Sequence, residues 1–316
     1  MLTRVACALL LPISISAATH RVLVRTVDGN TIEGDTSLAT VAGARLERVL
    51  SIHNGAPASD AEKGRIEAGI AAAQGKERKA RDLAVEELTA IGLPVMTPLL
   101  TTYKDTDQHE PRPLYRLFER IIPSYADGFD RTKSLIRLKG GEALRVTLPA
   151  DGAVEIKAAD GKTVKLAWSG IRMLAVRQKL VSRAMAVHSL KHSTQIEYLD
   201  TGAGLTTTSK LDSTARGFVR LSWDTDSWAS DADGLKKPGA PSYKSNLFEG
   251  HPFGALVGRV GAAGEVFFLG MKASKTGLAA GRLALAVNDN PHWQNNLGSF
   301  YVTLSASDAY DLGDAQ

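Results

Sequence analysis

The residues best suited to chemistry in this chain are carboxylates and amides gathered in its last third. Asp224, Asp226, Asp231 and Asp233-Gly234 form a local acidic cluster, part of which has the Asp-x-Asp-Gly form of a calcium turn. A full EF-hand needs a loop of about 12 residues closed by a glutamate, and none follows. Asp224 and Asp226 are therefore expected to cap turns behind a strand. Two residues apart at a strand end, they are poorly placed for the separation of roughly 5 to 9.5 Å that glycosidase carboxylates need. The sequence has no Gly-x-Ser-x-Gly elbow, no His-Glu-x-x-His, no P-loop and no Gly-x-Gly-x-x-Gly fingerprint. His109-Glu110, in a polar loop with Pro111 and Pro113, reads as surface. Catalysis is not expected.

What must position these residues is a chain of 316 residues with 44% hydrophobic and 23% charged content, enough for two globular domains. One cysteine, Cys7, excludes an internal disulfide and a cysteine-based zinc site. Residues 1–18 read as an export signal. Arg4 gives a positive start, Val5 to Ile15 an apolar run, and Ser16-Ala17-Ala18 small residues for cleavage. The run is shorter than the roughly 20 residues of a membrane span and holds Pro12. An exported protein, periplasmic or extracellular, is expected, its mature chain starting near Thr19 without cysteine. The net charge of +4 divides unevenly: residues 190–316 carry 11 Lys plus Arg against 13 Asp plus Glu, net −2, and residues 1–189 carry +6.

From His20 to Val27, Thr31 to Glu33 and Ala44 to Ile52 the pattern is strand-like, with Asp28-Gly29 as a turn. Helical periodicity then takes over. Ser59 or Asp60 caps a helix with Ile66, Ile70 and Ala73 on one face, and a second helix from Lys76 to Ile91 stops at Gly92. Val95 to Tyr103 and Leu114 to Ile122 read as a third and a fourth. Ala84 to Leu100, with its Ile91-Gly92-Leu-Pro94 break, resembles one unit of a HEAT-type repeat; at most two units, without a period, make a short insertion and not a solenoid. Its bases, Lys63, Arg65, Lys76, Arg78, Lys79 and Arg81, alternate with acids and have no interleaved aromatics, so nucleic acid is not expected as a partner. Strands return at Ser134 to Leu138, Ala143 to Leu148, Val154 to Ala158, Thr163 to Trp168 and Ile171 to Val176. They suggest a small β-barrel, with the helices as an excursion between its strands.

From about His188 short β segments follow, at Gln195 to Leu199, Gly217 to Trp223, Gly254 to Val260, Glu265 to Gly270, Gly281 to Val287 and Gly298 to Leu304. Their spacing argues for an antiparallel β-sandwich. Four blocks stand out: Asp200-Thr-Gly202; Trp228-Ala-Ser-Asp231; Gly254-Ala-Leu-Val-Gly-Arg-Val-Gly261; and Gly281-Arg-Leu-Ala-Leu-Ala-Val-Asn-Asp289 followed by Asn295-Asn296-Leu-Gly298-Ser-Phe300-Tyr-Val302. In this order they resemble the PA-I type, or PA-IL-like, calcium-dependent galactose-binding lectins, over about Tyr198 to Leu304.

The resemblance implies a calcium site in which Asp289 gives a carboxylate, Asn295 and Asn296 give amide oxygens, and Asp231 gives a backbone carbonyl. A further carbonyl comes from His292 or Trp293. Such hard oxygen ligands suit calcium, and vicinal sugar hydroxyls would complete its shell. The loop from Asp289 to Asn295 is one residue shorter than the family pattern. The family's sugar-contacting His-Pro pair lies well before its Gly-Ala-Leu strand, whereas His251-Pro252 directly precedes Phe253-Gly254, so the sugar contacts do not transfer. Trp293, His292, Asn290 and Tyr243 are the candidates to replace them. Trp293 either stacks on a sugar ring or anchors the loop under Pro291, and His292 either donates to a hydroxyl or is solvated.

The expected fold is mainly β with a helical insertion: a signal at 1–18, an N-terminal small barrel at 19–187 interrupted at about 58–123, a lectin-like sandwich at 188–306 and a tail at 307–316. The expected function is calcium-dependent binding of a glycan, galactose-like or other, without catalysis or a membrane span, the N-terminal part being free for a protein partner. The competing reading is a structural or assembly module of the cell envelope that uses the sandwich as a scaffold.

Overall fold

The computed structural model describes residues 19–75, 77–105, 133–194, 197–221, 229–235, 251–289 and 296–313. The expected export signal and the expected fourth helix lie outside the described residues. The strands are β1 (His20–Thr26), β2 (Thr31–Thr36), β3 (Thr40–Val41), β4 (Ala44–Arg45), β5 (Val49–His53), β6 (Ser134–Leu138), β7 (Ala143–Val146), β8 (Ala153–Ala158) and β9 (Thr163–Ala167). They continue with β10 (Ile171–His188), β11 (Leu199–Leu205), β12 (Lys210–Arg220), β13 (Ala229–Ser230), β14 (Leu256–Val260), β15 (Val266–Phe268), β16 (Lys272–Lys275), β17 (Gly281–Val287) and β18 (Leu297–Asp311). Among the described residues three α-helices, α1 (Asp60–Ala73), α2 (Arg78–Ile91) and α3 (Met96–Asp105), lie between β5 and β6.

The N-terminal strands pair antiparallel in the order β9-β8-β2-β1-β10-β5-β6-β7. Their inward residues, among them Val22, Val24, Ile52, Ile136, Val154, Ile156, Trp168 and Leu174, make one core around which the sheet rolls. The first hairpin turns where expected, with Gly29 at φ +88° and its N–H donating to the Thr26 carbonyl at 3.1 Å. The excursion is also as read: β5 and β6 are direct neighbours, His53 opposite Leu135, and the chain leaves for the helices between them.

The insertion is fastened by its own first turn. Ser59 caps α1 in a capping box with Glu62, which satisfies two orphan backbone donors. The Glu62 carboxylate also takes a bidentate grip from Arg172 on β10: Nε donates to Oε1 at 2.6 Å and Nη2 to Oε2. Arg172 spends its remaining donors on the carbonyls of Ala56, at 2.7 Å, and Pro57, at 3.0 Å. Both side chains are almost wholly buried. Burial alone would raise the Glu62 carboxyl, but the hydrogen bonds from Arg172 and Ser59 outweigh it and hold the group below the usual carboxylate range.

The strand expected to end at Val176 continues to His188, 18 residues in all. Its first part pairs with β1 and β5, and the rest, from Arg177 to His188, pairs with β18. One sandwich layer is therefore β10-β18-β12, with β16 and β13 on β12; the other is β11-β17-β14-β15. Val187, Leu211, Ala215, Val219, Phe300 and Val302 from the first layer meet Leu199, Leu205, Leu256, Val260, Leu283 and Leu285 from the second.

The layers are joined by a corner in β18. Up to Ser307 the strand pairs with β12, and beyond Asp308 its residues Tyr310 and Asp311 pair with β11. Asp308 sits at this corner with φ +56°, a conformation short polar side chains tolerate. Thr208 Oγ1 donates to its carboxylate at 2.5 Å, and Ser209 Oγ donates to its carbonyl at 2.9 Å. The segment read as a tail from residue 307 is therefore interior through Leu312: Ala309, Tyr310, Asp311 and Leu312 are buried. Asp311 accepts from Arg137 on β6 at 2.9 Å and pairs with Arg183 on β10 at 2.7 Å, tying barrel to sandwich.

Two outcomes follow for stability. Arg172→Ala leaves Glu62 buried and unpaired, and should cost about 3–5 kcal/mol in urea unfolding. His53, whose Nε2 lies 3.1 Å from Ser51 Oγ, is held neutral by burial and by the charges of Arg137 and Arg282, with a pKa of about 3 against 6.5 when free. Its contribution is complete above pH 6.5 and is lost as pH falls towards 3, because only the unfolded chain takes up the proton. His53→Gln should flatten the fall in urea midpoint between neutral pH and pH about 4.

Candidate functional site

The two described members of the expected metal block come together at one end of the sandwich. Asp289 lies two residues past β17 in one layer, and Asn296 directly precedes β18 in the other. Asn296 Nδ2 donates to Asp289 Oδ2, and to the Ser189 carbonyl at 3.3 Å. Both side chains are buried, Asp289 at 4% and Asn296 at 5% exposure.

The segment after β10 holds them in place. Ser189 N–H and Oγ both donate to the Gly298 carbonyl, at 3.2 and 3.1 Å, fixing the start of β18. Thr194 N–H donates to the Val287 carbonyl at 2.9 Å, and Thr194 Oγ1 donates to the Asp289 carbonyl at 3.0 Å. A short stretch from Ser189 to Thr194 thus sets the spacing between carboxylate and amide. Sequence reasoning did not single it out; its one signal is the polar cluster His192-Ser193-Thr194 behind a strand, which any turn could show.

Asn288 serves the backbone. Its Nδ2 donates to the carbonyls of His251 and Pro252, both at 3.1 Å, and its carbonyl accepts from Gly254 N–H at 2.7 Å. The His251-Pro252 pair, whose sugar contacts the resemblance does not transfer, is therefore attached directly to the end of β17 beside Asp289. Gly254 has φ +78°, and a Cβ there would come within 2.7 Å of Leu221. Glycine is required at that close approach.

Asp231 belongs to the same end of the sandwich through a ladder: Ala232 accepts from Leu256 N–H at 2.8 Å, and Phe253 accepts from Leu235 N–H at 2.9 Å. Its carbonyl, the expected ligand atom, accepts from Ser230 Oγ at 2.8 Å and from Gly234 N–H at 3.0 Å. With both lone pairs engaged, it must give up the Ser230 hydroxyl to face a cation. Its carboxylate accepts from Asp233 N–H at 2.9 Å, and Asp233 accepts from Met271 N–H at 2.7 Å, so the Asp-x-Asp-Gly turn is used locally. Asn290, His292, Trp293, Asn295 and Tyr243 lie outside the described residues, as do Asp224 and Asp226.

The residues present fit a calcium ion in one specific respect. Asn296 Oδ1 is buried and has no hydrogen-bond partner among the described residues. An unpaired buried acceptor costs about 1–3 kcal/mol, and a hard cation beside it would remove that cost. Carboxylate, amide and carbonyl oxygens are also the donor set calcium takes, whereas no group of three or more His, Cys, Asp or Glu side chains suited to a metal occurs among the described residues.

No helix among the described residues is long and apolar enough to cross a membrane. No protein-family profile matches the chain. No curated protein matches it either. Among solved structures the chain is similar to the EclA N-terminal domain, described as a PllA-like lectin, at 20% identity and a TM-score of 0.32, over 41% of this chain and 98% of that one.

Proposed function

We propose that this chain is an exported, non-catalytic, lectin-like carbohydrate-binding protein whose sugar site is built on calcium. The observation that carries this reading is the buried pair of Asp289 and Asn296, whose amide gives its Nδ2 to the carboxylate and leaves its Oδ1 without a partner among the described residues. Asp289 and Asn296 would hold the ion together with the Asn295 side chain, the Asp231 carbonyl and the carbonyl of His292 or Trp293. Calcium, when bound, supplies a dication on which two adjacent sugar hydroxyls can replace water. The chain's own residues do the rest. Thr194 and Ser189 fix the distance between the two loops, Asn288 stiffens the turn at His251-Pro252, and Trp293, His292, Asn290 and Tyr243 are the candidates to contact the sugar. A galactose-like sugar is the first ligand to try, and the N-terminal barrel with its helices is left for a protein partner.

The second reading, a structural module of the cell envelope, is favoured by the Asp231 carbonyl, which already accepts two hydrogen bonds. Calorimetry on the whole chain separates the two. Calcium should bind with measurable heat and raise the melting temperature, and a chelator should reverse the rise. Asp289→Asn, which keeps the shape and the contact to Asn296, should abolish the calcium response while leaving the metal-free melting temperature nearly unchanged. Galactose and a glycan panel should then bind only in calcium. Absence of calcium heat would sink the site, and calcium binding with no sugar response would leave the structural module.

A further inference from the structure

The outward face of the first sandwich layer carries large side chains where solvent-facing strands ordinarily carry small polar ones. Phe218 on β12 is 66% exposed, and on β18 Tyr301 is 58% and Leu297 53% exposed. The register puts them on one surface: Arg220 opposite Leu297, Phe218 opposite Ser299 and Arg216 opposite Tyr301. Phe218 and Tyr301 are thus diagonal neighbours, a separation that aromatic side chains reach across. Gly217 lies between them with φ +100°. A Cβ there would stand 3.5 Å from Tyr301 Cδ2 and 2.6 Å from the Ser299 carbonyl. With no side chain at that position, the two rings share an open platform.

The platform is rimmed by positive charge. Arg216 and Arg220 flank the rings, and Lys272 on β16 lies opposite Thr214 in the next row. Arg216 and Lys272 make no ion pair within 4.0 Å among the described residues; the acid in the adjoining rows, Asp212, is paired with Lys210 at 3.1 Å and is shared electrostatically with Lys272. This cationic strip sits in a half of the chain whose net charge is −2, so it is a local concentration and not an average. Hydroxyls fill the remaining outward positions, Ser299, Thr303 and Thr214, and His188 Nδ1 lies 2.6 Å from Ser299 Oγ at the neighbouring strand.

We propose that this face is a second binding surface, independent of metal, for an anionic polysaccharide. The C–H face of a sugar ring is apolar with partly positive hydrogens and lies well on an aromatic face, whose quadrupole is negative there. Carboxylates along such a polymer meet Arg216 and Lys272, and its hydroxyls meet Ser299 and Thr303. A second copy of this chain fits less well, because an isologous contact would set the cationic strips against each other. A bilayer fits less well because the apolar side chains alternate with hydroxyls and do not gather into one insertable patch.

Affinity electrophoresis and calorimetry of the whole chain in excess chelator test this, with polygalacturonate as the probe and dextran and anionic phosphatidylglycerol vesicles beside it. Binding is expected to polygalacturonate and not to dextran, and it should weaken as salt rises. Phe218→Ser and Tyr301→Ser should each weaken it about tenfold with the melting temperature unchanged. If Tyr301→Ser disturbs the fold, Phe218→Ser and the pair Arg216→Ser with Lys272→Ser decide, the pair also flattening the salt dependence. No binding to polygalacturonate, binding that survives the Phe218 and Arg216/Lys272 changes, or capture by vesicles alone would each overturn the proposal. Because chelator is present throughout, none of these results bears on the calcium reading of Asp289.

Discussion

The structure depends on one uninterrupted strand. β10 belongs to the barrel over its first residues and to the sandwich over the rest, and its backbone is paired on both sides of that change. A strand that slipped by one residue would turn every side chain to the opposite face. It would move Leu174 and Val176 out of the barrel core and Val181 and Val187 out of the sandwich core at once. The register of either unit is therefore imposed on the other. Asp311, gripped by Arg137 and Arg183, adds a buried charge cluster at the change-over, where no slipped arrangement would satisfy all three groups.

The helical insertion reinforces this coupling from the side. Arg65 donates to the Val27 carbonyl at 2.8 Å, and Arg172 holds Glu62, so the insertion is bound to the barrel. On its other flank Asp82 pairs with Arg259 of β14 at 3.2 Å, and Glu86 accepts from Ala262 N–H at 2.6 Å. Arg259 also lies over the Tyr198 ring, 4.0 Å from its centroid. An excursion between two barrel strands thus braces the far layer of the sandwich, the layer that carries Asp289.

Alternation and turn chemistry made much of this legible in the sequence. The Asp28-Gly29 hairpin, the Ser59 cap, the Gly92 stop and β17 could be read because each rests on local residue choice. What was missed rests on distant partners. The apolar pattern of β10 breaks after Val176 at Arg177, Lys179 and Arg183; Glu33 and Asp308 pair with Arg177, Asp311 pairs with Arg183, and Lys179 is exposed. The expected start of β12 falls seven residues late because its inward positions Ser213 and Ala215 are small. The expected end of β18 at Leu304 falls early because Ser305, Ser307 and Asp308 look like a loop, whereas the corner, with Asp308 at positive φ, accepts just such residues. Of the site, Asp289 and Asn296 were found through a block pattern, whereas the Ser189 to Thr194 clamp has no pattern of its own.

The partnership of β10 with β18 also sets an order in time. His188 and Ser299 face each other across 111 residues of chain, and every step of the ladder between the two strands closes a loop of at least comparable kind. As a chain grows from its N-terminus, the barrel can be complete while the outer half of β10 still presents unpaired N–H and C=O groups. That half must stay extended and soluble until β18 arrives. Its outward charges and hydroxyls, Lys179, Ser182 and His188, suit a strand that has to wait without pairing to another molecule.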